Sequence, residues 1–284
     1  MRTLAAVLGV CLVLFASGQA PAPEAPAPPE DEGKTQAPPQ QEPKGKGSTR
    51  SAPKAKTPRR GSRGGAAFYK GRPIAPVMGF EGADWLMRPE REVQERPDDM
   101  VDSLKIQPGD TVADVGAGTG YISLRLAQRV GPKGKVFATD LQPQMLQMLA
   151  ENARTAGLKN IQPIRSTPSD PKLPKNALDL VIMVDVYHEC SQPEATLLGL
   201  RQALKSGGRL VLVEFRAEDP DVPIKPEHKM TLAQVRLEIE PFGFAFKESL
   251  EFLPWQHIII FEKSADDAEK ADTDKKTPEK TKNR

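Results

Sequence analysis

Between Thr111 and Arg216, short apolar segments alternate with segments in which apolar residues recur at helical spacing. The short apolar segments suit buried strands, and the periodic ones suit helices. The predicted strands are TVADVG, GKVFATD, NIQPIRS, ALDLVIMVDV and GRLVLVEFR, and the predicted helices are TGYISLRLAQRV, QPQMLQMLAENARTAG and QPEATLLGLRQAL. This alternation predicts right-handed crossovers and a parallel sheet that is covered by helices on both faces.

The pattern changes after Arg216. A loop interrupted by prolines precedes a predicted helix near MTLAQVRLEIEPFG, and two further predicted strands follow, FAFKESLEF and WQHIIIF. Because little more than Leu253 and Pro254 separates these strands, we expect a hairpin that adds one antiparallel strand to the parallel sheet. We find no internal repeat in the sequence.

The two ends of the 284-residue chain differ in composition from its middle. Residues 1–20, MRTLAAVLGVCLVLFASGQA, combine one arginine, an apolar run and a small-residue exit, which predicts a secretory signal peptide. Residues 21–65 are rich in proline, alanine and lysine and predict a disordered linker, and residues 264–284 predict a disordered charged tail. We therefore expect a periplasmic or secreted protein, or a membrane-anchored one if the N-terminus stays uncleaved.

The middle of the chain, about 200 residues, is long enough for one sizeable core. The net charge is +2, and the excess of basic residues lies mostly in the N-terminal third, so we expect no dedicated nucleic-acid module. The run from Lys44 to Arg63 is basic without an acid, which favours a solubilising tether or a weak contact with an anionic surface.

If cleavage follows Ala20, Cys190 is the only thiol left, so no internal disulfide is expected. The sequence indicates no oligomeric state.

The stretch VADVGAGTGY places a glycine-rich turn directly after the first predicted strand. Its glycines are Gly116, Gly118 and Gly120, and Tyr121 stands where a dinucleotide-binding fingerprint has its third glycine. Gly120 is followed by Tyr-Ile-Ser, so the lysine of a nucleoside-triphosphate loop is also missing from the sequence. The turn therefore disfavours both of these phosphate-binding functions.

Two acidic residues accompany this turn. Asp114 lies near the end of the first strand, where a carboxylate would repel a pyrophosphate and could face a cationic group. Asp140 ends the second strand, about twenty residues after the loop, where a carboxylate can accept hydrogen bonds from both hydroxyls of a ribose. Alternatively, Asp140 only caps the following helix. Together the two acids favour a ligand with a ribose and a cationic part and without phosphates.

These segments resemble the class I S-adenosylmethionine-dependent methyltransferases. VADVGAGTGY looks like the first motif of that family, VFATD its acidic second strand, LDLVIMVDVYHE its fourth-strand motif, and LKSGGRLVLVEF its turn and fifth strand. The match runs from about Ile106 to Phe261. It implies a three-layer α/β, Rossmann-like sandwich with a seven-stranded, mostly parallel sheet of order 3-2-1-4-5-7-6, in which strand 7 is antiparallel. It also implies a methyltransferase domain at residues 106–263 with S-adenosyl-L-methionine as the cofactor.

The resemblance further implies the cofactor contacts. The glycine turn would pass along the methionine part, Asp140 would hold the ribose, and Leu141 would pack on the adenine. The loop STPSDPKLP would lie near the adenine amino group, where the family often has an aspartate. Asp170 is the candidate for this contact, although Ser166 and Thr167 lie nearer the usual position of that aspartate in the sequence. Alternatively, Asp170 only stabilises an ordinary turn. The implied contacts are Asp114, Gly116, Ala117, Gly118, Thr119, Gly120, Asp140, Leu141, Asp170 and Asp185.

The segment DVYHEC follows the fourth strand, at the edge where ligands of such sheets bind. Ser191 and Glu194 predict a capping box for the next helix, which leaves Tyr187, His188 and Glu189 in a loop facing the methyl acceptor. Methyl transfer is an in-line displacement that needs alignment, and a hydroxyl, thiol or carbon acid also needs a base. His188 is the candidate base, with Glu189 orienting it and Tyr187 beside it; alternatively these residues only line the pocket. We identify no metal-ligand set in the sequence.

Residues 66–105 precede the sheet and contain Trp85, Arg88, Arg91 and Glu92 upstream of a short predicted helix. We interpret this segment as a lid over the cofactor and acceptor, or as an ordinary docking segment.

The favoured function is a methyltransferase acting on a small-molecule acceptor. The alternatives are an exported binding protein without turnover and a protein carboxyl methyltransferase of the isoaspartyl type, which AQRVGPKGKVFATDLQPQML also resembles.

Overall fold

A computed structural model describes residues 67–264. The predictions for the signal peptide, the linker and nearly all of the charged tail therefore lie outside the described residues. The described part is built around one sheet with seven main strands. They are β1 (Thr111–Val115), β2 (Lys135–Asp140), β3 (Ile161–Arg165), β4 (Leu178–Val184), β5 (Leu204–Arg216), β6 (Phe244–Leu250) and β7 (Gln256–Lys263).

The seven strands lie in the order β3-β2-β1-β4-β5-β7-β6. The first five are parallel, and β7 is antiparallel to both β5 and β6. A two-residue strand, Lys229–Met230, also pairs with the end of β5. This topology confirms the predicted Rossmann-like sandwich, including its antiparallel seventh strand.

Helices cover both faces of the sheet, as the alternating pattern predicts. They are α1 (Ala83–Leu86), α2 (Arg91–Gln94), α3 (Pro97–Ser103), α4 (Tyr121–Val130), α5 (Pro143–Thr155), α6 (Pro193–Ala203) and α7 (Leu232–Ile239). Apolar residues of α3 and α4 pack on one face, and those of α6 and α7 pack on the other. Successive residues of β4, such as Val181 and Ile182, belong to the two different cores and are fully buried. This two-sided burial is why the central strands are predominantly apolar.

The fifth strand is longer than the sequence predicts. It begins at Leu204 rather than at Gly208. Leu204 pairs with Leu178, and a register irregularity separates this pair from the regular ladder that begins at Arg209. The extra pairing is tertiary in origin, because only the neighbouring strand makes the polar KSGG segment part of the sheet.

The predicted capping box before α6 is wrong. The helix begins at Pro193, and its N-cap residue, Gln192, makes no side-chain capping hydrogen bond. Proline has a fixed φ and no amide hydrogen, so it favours the first helical position and starts the helix one residue later than Ser191 would. Glu194 therefore stands one position too early for the reciprocal bond.

The carboxyl ends of the parallel strands meet at one edge of the sheet, which is partly open. Residues 166–177 connect β3 to β4 without a helix, and the segment before α3 folds over this edge. That segment is fastened by an ion pair of 2.7 Å between Arg72 and Glu238, and by the Ala75 amide, which donates to the His188 carbonyl at 3.1 Å.

Within residues 67–264, no helix is both long enough and apolar enough to cross a membrane.

Candidate active site

A cavity of about 740 Å³ lies at the carboxyl ends of the central strands. Its walls come from the turn after β1, the ends of β2 and β4, the turn after β4 and the loop after β5. The loop after β3 and residues between Pro76 and Glu95 also line it, so the segment that we interpret as a lid lies against this cavity. Parallel sheets bind their ligands at this edge, which makes the cavity the candidate active site.

The glycine turn presents bare main chain to the cavity. Gly116, Gly118 and Gly120 have φ angles of 75°, 51° and 87°, which glycine adopts readily. A Cβ atom at Gly116 would lie 2.5 Å from a methyl carbon of Val186, and one at Gly118 would lie 2.8 Å from a methyl carbon of Leu86. Because Gly116 and Gly118 line the cavity, a ligand can approach the main chain closely there.

Asp140 and Leu141 also line the cavity. One carboxylate oxygen of Asp140 accepts a hydrogen bond from the Gly118 amide at 2.9 Å, and the other accepts one from the Gln142 amide at 2.8 Å. Burial raises the pKa of Asp140. Each oxygen keeps a second lone pair, so the carboxylate can still accept two hydroxyl donors. The bond to Gln142 means that Asp140 also stabilises the start of α5.

Asp114 lies behind the glycine turn rather than on the wall of the main cavity. It is 2% exposed and accepts a hydrogen bond from the Ser123 hydroxyl at 2.6 Å. Burial raises the pKa of Asp114 to about 6. The carboxylate borders a side pocket of about 40 Å³, which shares Gly116 and Arg91 with the main cavity. A ligand group would reach Asp114 only through this side pocket.

Asp185 directly follows β4 and lines the main cavity. Its φ angle is 55°, a left-handed conformation that is uncommon for residues other than glycine. One carboxylate oxygen accepts a hydrogen bond from the Gln256 amide group at 2.7 Å, whereas the other is buried and has no partner among residues 67–264. A buried acceptor without a partner is costly, so this oxygen is available to a donor group of a ligand.

The other predicted contacts in the turn are set back from the main cavity. Ala117 and Thr119 border the side pocket, and the Thr119 hydroxyl lies 3.2 Å from the Met87 sulfur. Gly120 immediately precedes α4 and packs against Leu149. These residues shape the turn, and the main-chain atoms of Gly116 and Gly118 form its surface toward the cavity.

The loop after β3 reaches the cavity through Ser166 and Thr167 rather than through the candidate contact, Asp170. The side chain of Asp170 is 48% exposed and pairs with the Lys172 ammonium at 2.7 Å. That ammonium and the Lys172 amide lower the pKa of Asp170 through hydrogen bonds. Ser166 and Thr167 line the cavity instead. Within the described residues, Asp170 is therefore part of a surface turn and not of the cavity wall.

His188 is held in a short 3-10 turn, Tyr187–Glu189, and is 1% exposed. Its Nδ1 lies 2.6 Å from a carboxylate oxygen of Glu214 on β5, and its Nε2 lies 3.0 Å from Nδ1 of His228. Burial alone would lower the pKa of His188, but the Glu214 carboxylate outweighs burial and raises it. Since a carboxylate only accepts, we assign the hydrogen to Nδ1, which directs the Nε2 lone pair toward His228.

The neighbours of His188 have separate positions. Glu189 lines the cavity, and burial raises its pKa to about 7. Tyr187 is fully buried in the core on the α6 side and does not line the cavity, and the Arg72 guanidinium lies 5.4 Å from its ring centre. The carboxylate that orients the His188 ring is therefore that of Glu214, not that of Glu189.

A buried group of charges from the lid segment completes the cavity wall. Arg88 and Arg91 each pair with the Glu95 carboxylate, at 2.7 and 2.6 Å. All three residues line the cavity, and none is more than 9% exposed. Glu92 instead accepts a hydrogen bond of 2.6 Å from a tyrosine hydroxyl on α4. The two guanidinium groups supply positive charge that suits an anionic part of a ligand.

Glu214 and His228 were not predicted from the sequence. Glu214 is the one acidic residue inside the apolar segment LVLVEF, and an acid at a buried strand position is itself a signal of a specific partner. His228 is one of only three histidines in the chain, but it follows His188 by forty positions in a proline-rich loop. Only the fold brings the two histidines into contact.

Comparison with known proteins identifies relatives of this domain. A family model described as a methyltransferase domain matches residues 106–258. The ubiquinone/menaquinone biosynthesis C-methyltransferase UbiE of Salmonella arizonae is 29% identical over 116 residues, which is 40% of this chain and 46% of that protein. The chain thus spans about half the length of the curated relatives that it matches.

Solved structures show the same fold. A SAM-dependent methyltransferase from Aquifex aeolicus is 27% identical, with a TM-score of 0.63 over 66% of this chain and 100% of that chain. The [4+2]-cyclase SpnF is 17% identical, with a TM-score of 0.52 over 60% of this chain and 82% of that chain, a likeness of fold alone. Because the methyltransferase-domain match spans more than half of the chain, the protein belongs to the S-adenosylmethionine-dependent methyltransferase family.

Proposed function

We propose that this protein transfers the methyl group of S-adenosyl-L-methionine to a small, largely apolar acceptor bound in the main cavity. One observation carries the proposal: the same cavity is lined by the glycine turn, by Asp140 and by His188, whose ring is oriented from behind by Glu214. The first group suits a nucleoside without phosphates, and the second suits an acceptor that must be activated. Apolar walls from Val77, Met78, Phe215 and Ile224 favour an acceptor with little charge.

The residues of the cavity fit the cofactor in three respects. Gly116 and Gly118 line the cavity without side chains, so a ligand can lie close to their main-chain atoms. The Asp140 carboxylate has lone pairs left for a ribose diol, and the free oxygen of Asp185 would accept from an amino group. Arg88 or Arg91 would face a carboxylate. S-adenosyl-L-methionine supplies an electrophilic methyl group on a sulfonium.

Activation of the acceptor falls to the turn after β4. The buried Glu214 carboxylate holds the His188 ring in one orientation, with its Nε2 lone pair directed away from the strand. The relative from Salmonella is named as a carbon methyltransferase, and a carbon acceptor becomes nucleophilic when a proton is lost from it or from an adjoining hydroxyl. We propose that the acceptor here carries such an ionisable proton and that His188 is required for its activation.

Calorimetry with S-adenosyl-L-methionine and S-adenosylhomocysteine tests the cofactor site. Asp140→Ala removes two acceptor oxygens, so we expect affinity to fall at least about tenfold. Glu151→Ala, a surface carboxylate on α5, is the matched control and should bind as the wild type does. Asp170→Ala should also bind normally if Ser166 and Thr167 form that wall, whereas a tenfold loss would support the contact implied by the family resemblance.

Turnover tests the activation step and separates the alternative functions. With an acceptor found by screening ionisable apolar compounds, we expect His188→Ala to lose about a hundredfold or more in rate while it retains cofactor affinity. A loss of only a few-fold would show that His188 merely lines the pocket. Cofactor binding without turnover on any acceptor would favour the binding-protein alternative, and methylation of isoaspartyl peptides would favour the protein carboxyl methyltransferase.

We also propose that the chain is exported, since its first twenty residues combine an arginine, an apolar run and a small-residue exit. The N-terminus of the protein recovered from each cell fraction tests this. A chain that begins after Ala20 in the periplasm or medium would support cleavage. An intact Met1 in the membrane fraction would support the anchored alternative, and an intact soluble chain in the cytoplasm would contradict both.

A further inference from the structure

Three potential metal ligands meet where the turn after β4 faces the loop after β5. One ligand atom from each of His188, Glu189 and His228 lies within 4.8 Å of the other two. All three residues line the main cavity. From this geometry we propose that the cluster binds a divalent transition-metal ion, such as Zn²⁺ or Fe²⁺, at the wall of the main cavity.

The orientation of His188 is that of a metal-binding imidazole. Its Nδ1 lies 2.6 Å from the fully buried Glu214 carboxylate, whose second oxygen accepts from the Tyr187 amide at 3.0 Å. Histidines that bind metals commonly donate their other ring N–H to a carboxylate in this way, which fixes the ring and the tautomer. The nitrogen left to bind an ion is Nε2, the atom that points to His228.

The spacing is close to what an ion requires. Nε2 of His188 lies 3.0 Å from Nδ1 of His228, and the rings are nearly perpendicular, at 83°. Two nitrogens bound tetrahedrally to one ion, each at about 2.0–2.1 Å, lie roughly 3.3 Å apart. A small rotation of the His228 ring, with its hydrogen moved from Nδ1 to Nε2, therefore opens the pair to an ion. A simple N–H···N bond explains the pair but not the convergence of the Glu189 carboxylate on it.

The surrounding charges favour a cation of this class. Glu189 and Glu214 both flank the two imidazoles, and a divalent ion would balance both carboxylates. Two imidazoles and one carboxylate suit Zn²⁺, Fe²⁺ and Co²⁺, whereas Mg²⁺ prefers oxygen ligands. Three protein ligands leave a coordination position open to the cavity. If the proposed methyltransferase function is correct, an acceptor oxygen or nitrogen would bind there and lose its proton more readily.

Titration of the chelator-stripped full-length protein with Co²⁺ alone tests the site. We expect one equivalent to bind, with the visible absorption of a nitrogen-ligated ion, and Zn²⁺ to displace it. His228→Asn and Glu189→Gln should each weaken binding at least about a hundredfold, and Glu214→Gln about ten- to a hundredfold, as expected for an outer partner. Glu227→Gln is the matched control, because this carboxylate adjoins His228 in the chain and is outside the cluster.

Wild-type measurements keep the proposal testable even if a variant misfolds. Zn²⁺ should raise the melting temperature of the stripped wild-type protein, and Mg²⁺ at the same concentration should not. The proposal is overturned by the absence of Co²⁺ absorption in the wild type, by equal stabilisation with Mg²⁺, or by unchanged binding in a folded His228→Asn variant.

The proposed metal site and the proposed methyltransferase function can be refuted independently of each other. Calorimetry of the stripped protein with S-adenosylhomocysteine measures the cofactor site without the metal. Co²⁺ binding in a protein that does not bind this nucleoside would support the metal site and contradict the methyltransferase function. Nucleoside binding in a protein that binds no Co²⁺ would overturn the metal site alone.

Discussion

Replacing Asp114 with asparagine should stabilise the folded protein at neutral pH. The carboxyl group is 2% exposed and accepts hydrogen bonds from the hydroxyl and the main-chain amide of Ser123. Burial raises its pKa from 3.8 to about 6, which means that the folded state holds the proton more tightly than the unfolded state does. One pKa unit corresponds to about 1.4 kcal/mol, so ionisation of Asp114 costs the folded state about 3 kcal/mol.

The pH dependence follows from the direction of this shift. The stabilising effect of the bound proton is complete below about pH 4 and is lost as the pH rises to about 6. Asp114→Asn keeps a neutral side chain of similar shape and an oxygen that can accept from Ser123. We therefore expect the variant and the wild type to have similar unfolding free energies near pH 4. Above pH 6 the variant should be more stable by up to about 3 kcal/mol.

Urea unfolding of both proteins between pH 4 and pH 8 measures this difference. Asp84→Asn is the control, because Asp84 is exposed, and its unfolding free energy should stay within about 0.5 kcal/mol of the wild type throughout. A less stable Asp114→Asn variant at pH 8 would refute the reasoning, since it would show that the ionised carboxylate is favourably paired in the fold. The hydrogen bonds from Ser123 and the charge of nearby Arg91, which oppose the effect of burial, would then outweigh it.

Three further predictions concern stability. Gly116 has a φ of 75°, and an added Cβ atom would lie 2.5 Å from a methyl carbon of Val186. Gly116→Ala should therefore lower the unfolding free energy by about 1–3 kcal/mol, and an unchanged melting temperature would contradict this. Arg72→Met removes the cation paired with the buried Glu238 carboxylate and should cost about 3–5 kcal/mol in urea unfolding; equal stability would show that the pair contributes little. Arg154→Ala breaks an ion pair that water and salt screen because both side chains are exposed, so the urea midpoint should stay unchanged. A measurably lower midpoint would show that this pair stabilises the fold in spite of its exposure.

The main elements of the fold follow from local patterns. Strands β1, β2 and β4 are predominantly apolar because both of their faces are covered, and this composition makes them recognisable in the sequence. The start of β5 was not predictable in the same way. Its first residues are polar and glycine-rich, and they join the sheet only because Leu204 pairs with Leu178.

The residues of the candidate site were likewise predictable in regular segments and not in irregular ones. The glycine turn and Asp140 lie at strand ends and are separated by a regular helix, so their spacing in sequence predicts that both reach one edge of the sheet. Asp170 lies in an irregular loop, where no periodicity fixes the direction of a side chain. The structure turns it to solvent and places Ser166 and Thr167 on the cavity wall instead.

The sequence alone determined the sheet, its covered faces and the family, because these depend on burial patterns and on motifs within short stretches of chain. Only the tertiary structure decided the partners of His188. Glu214 follows it by twenty-six positions and His228 by forty. Contacts across such distances depend on which strands are neighbours and on where a loop returns to the sheet, and no local spacing encodes either.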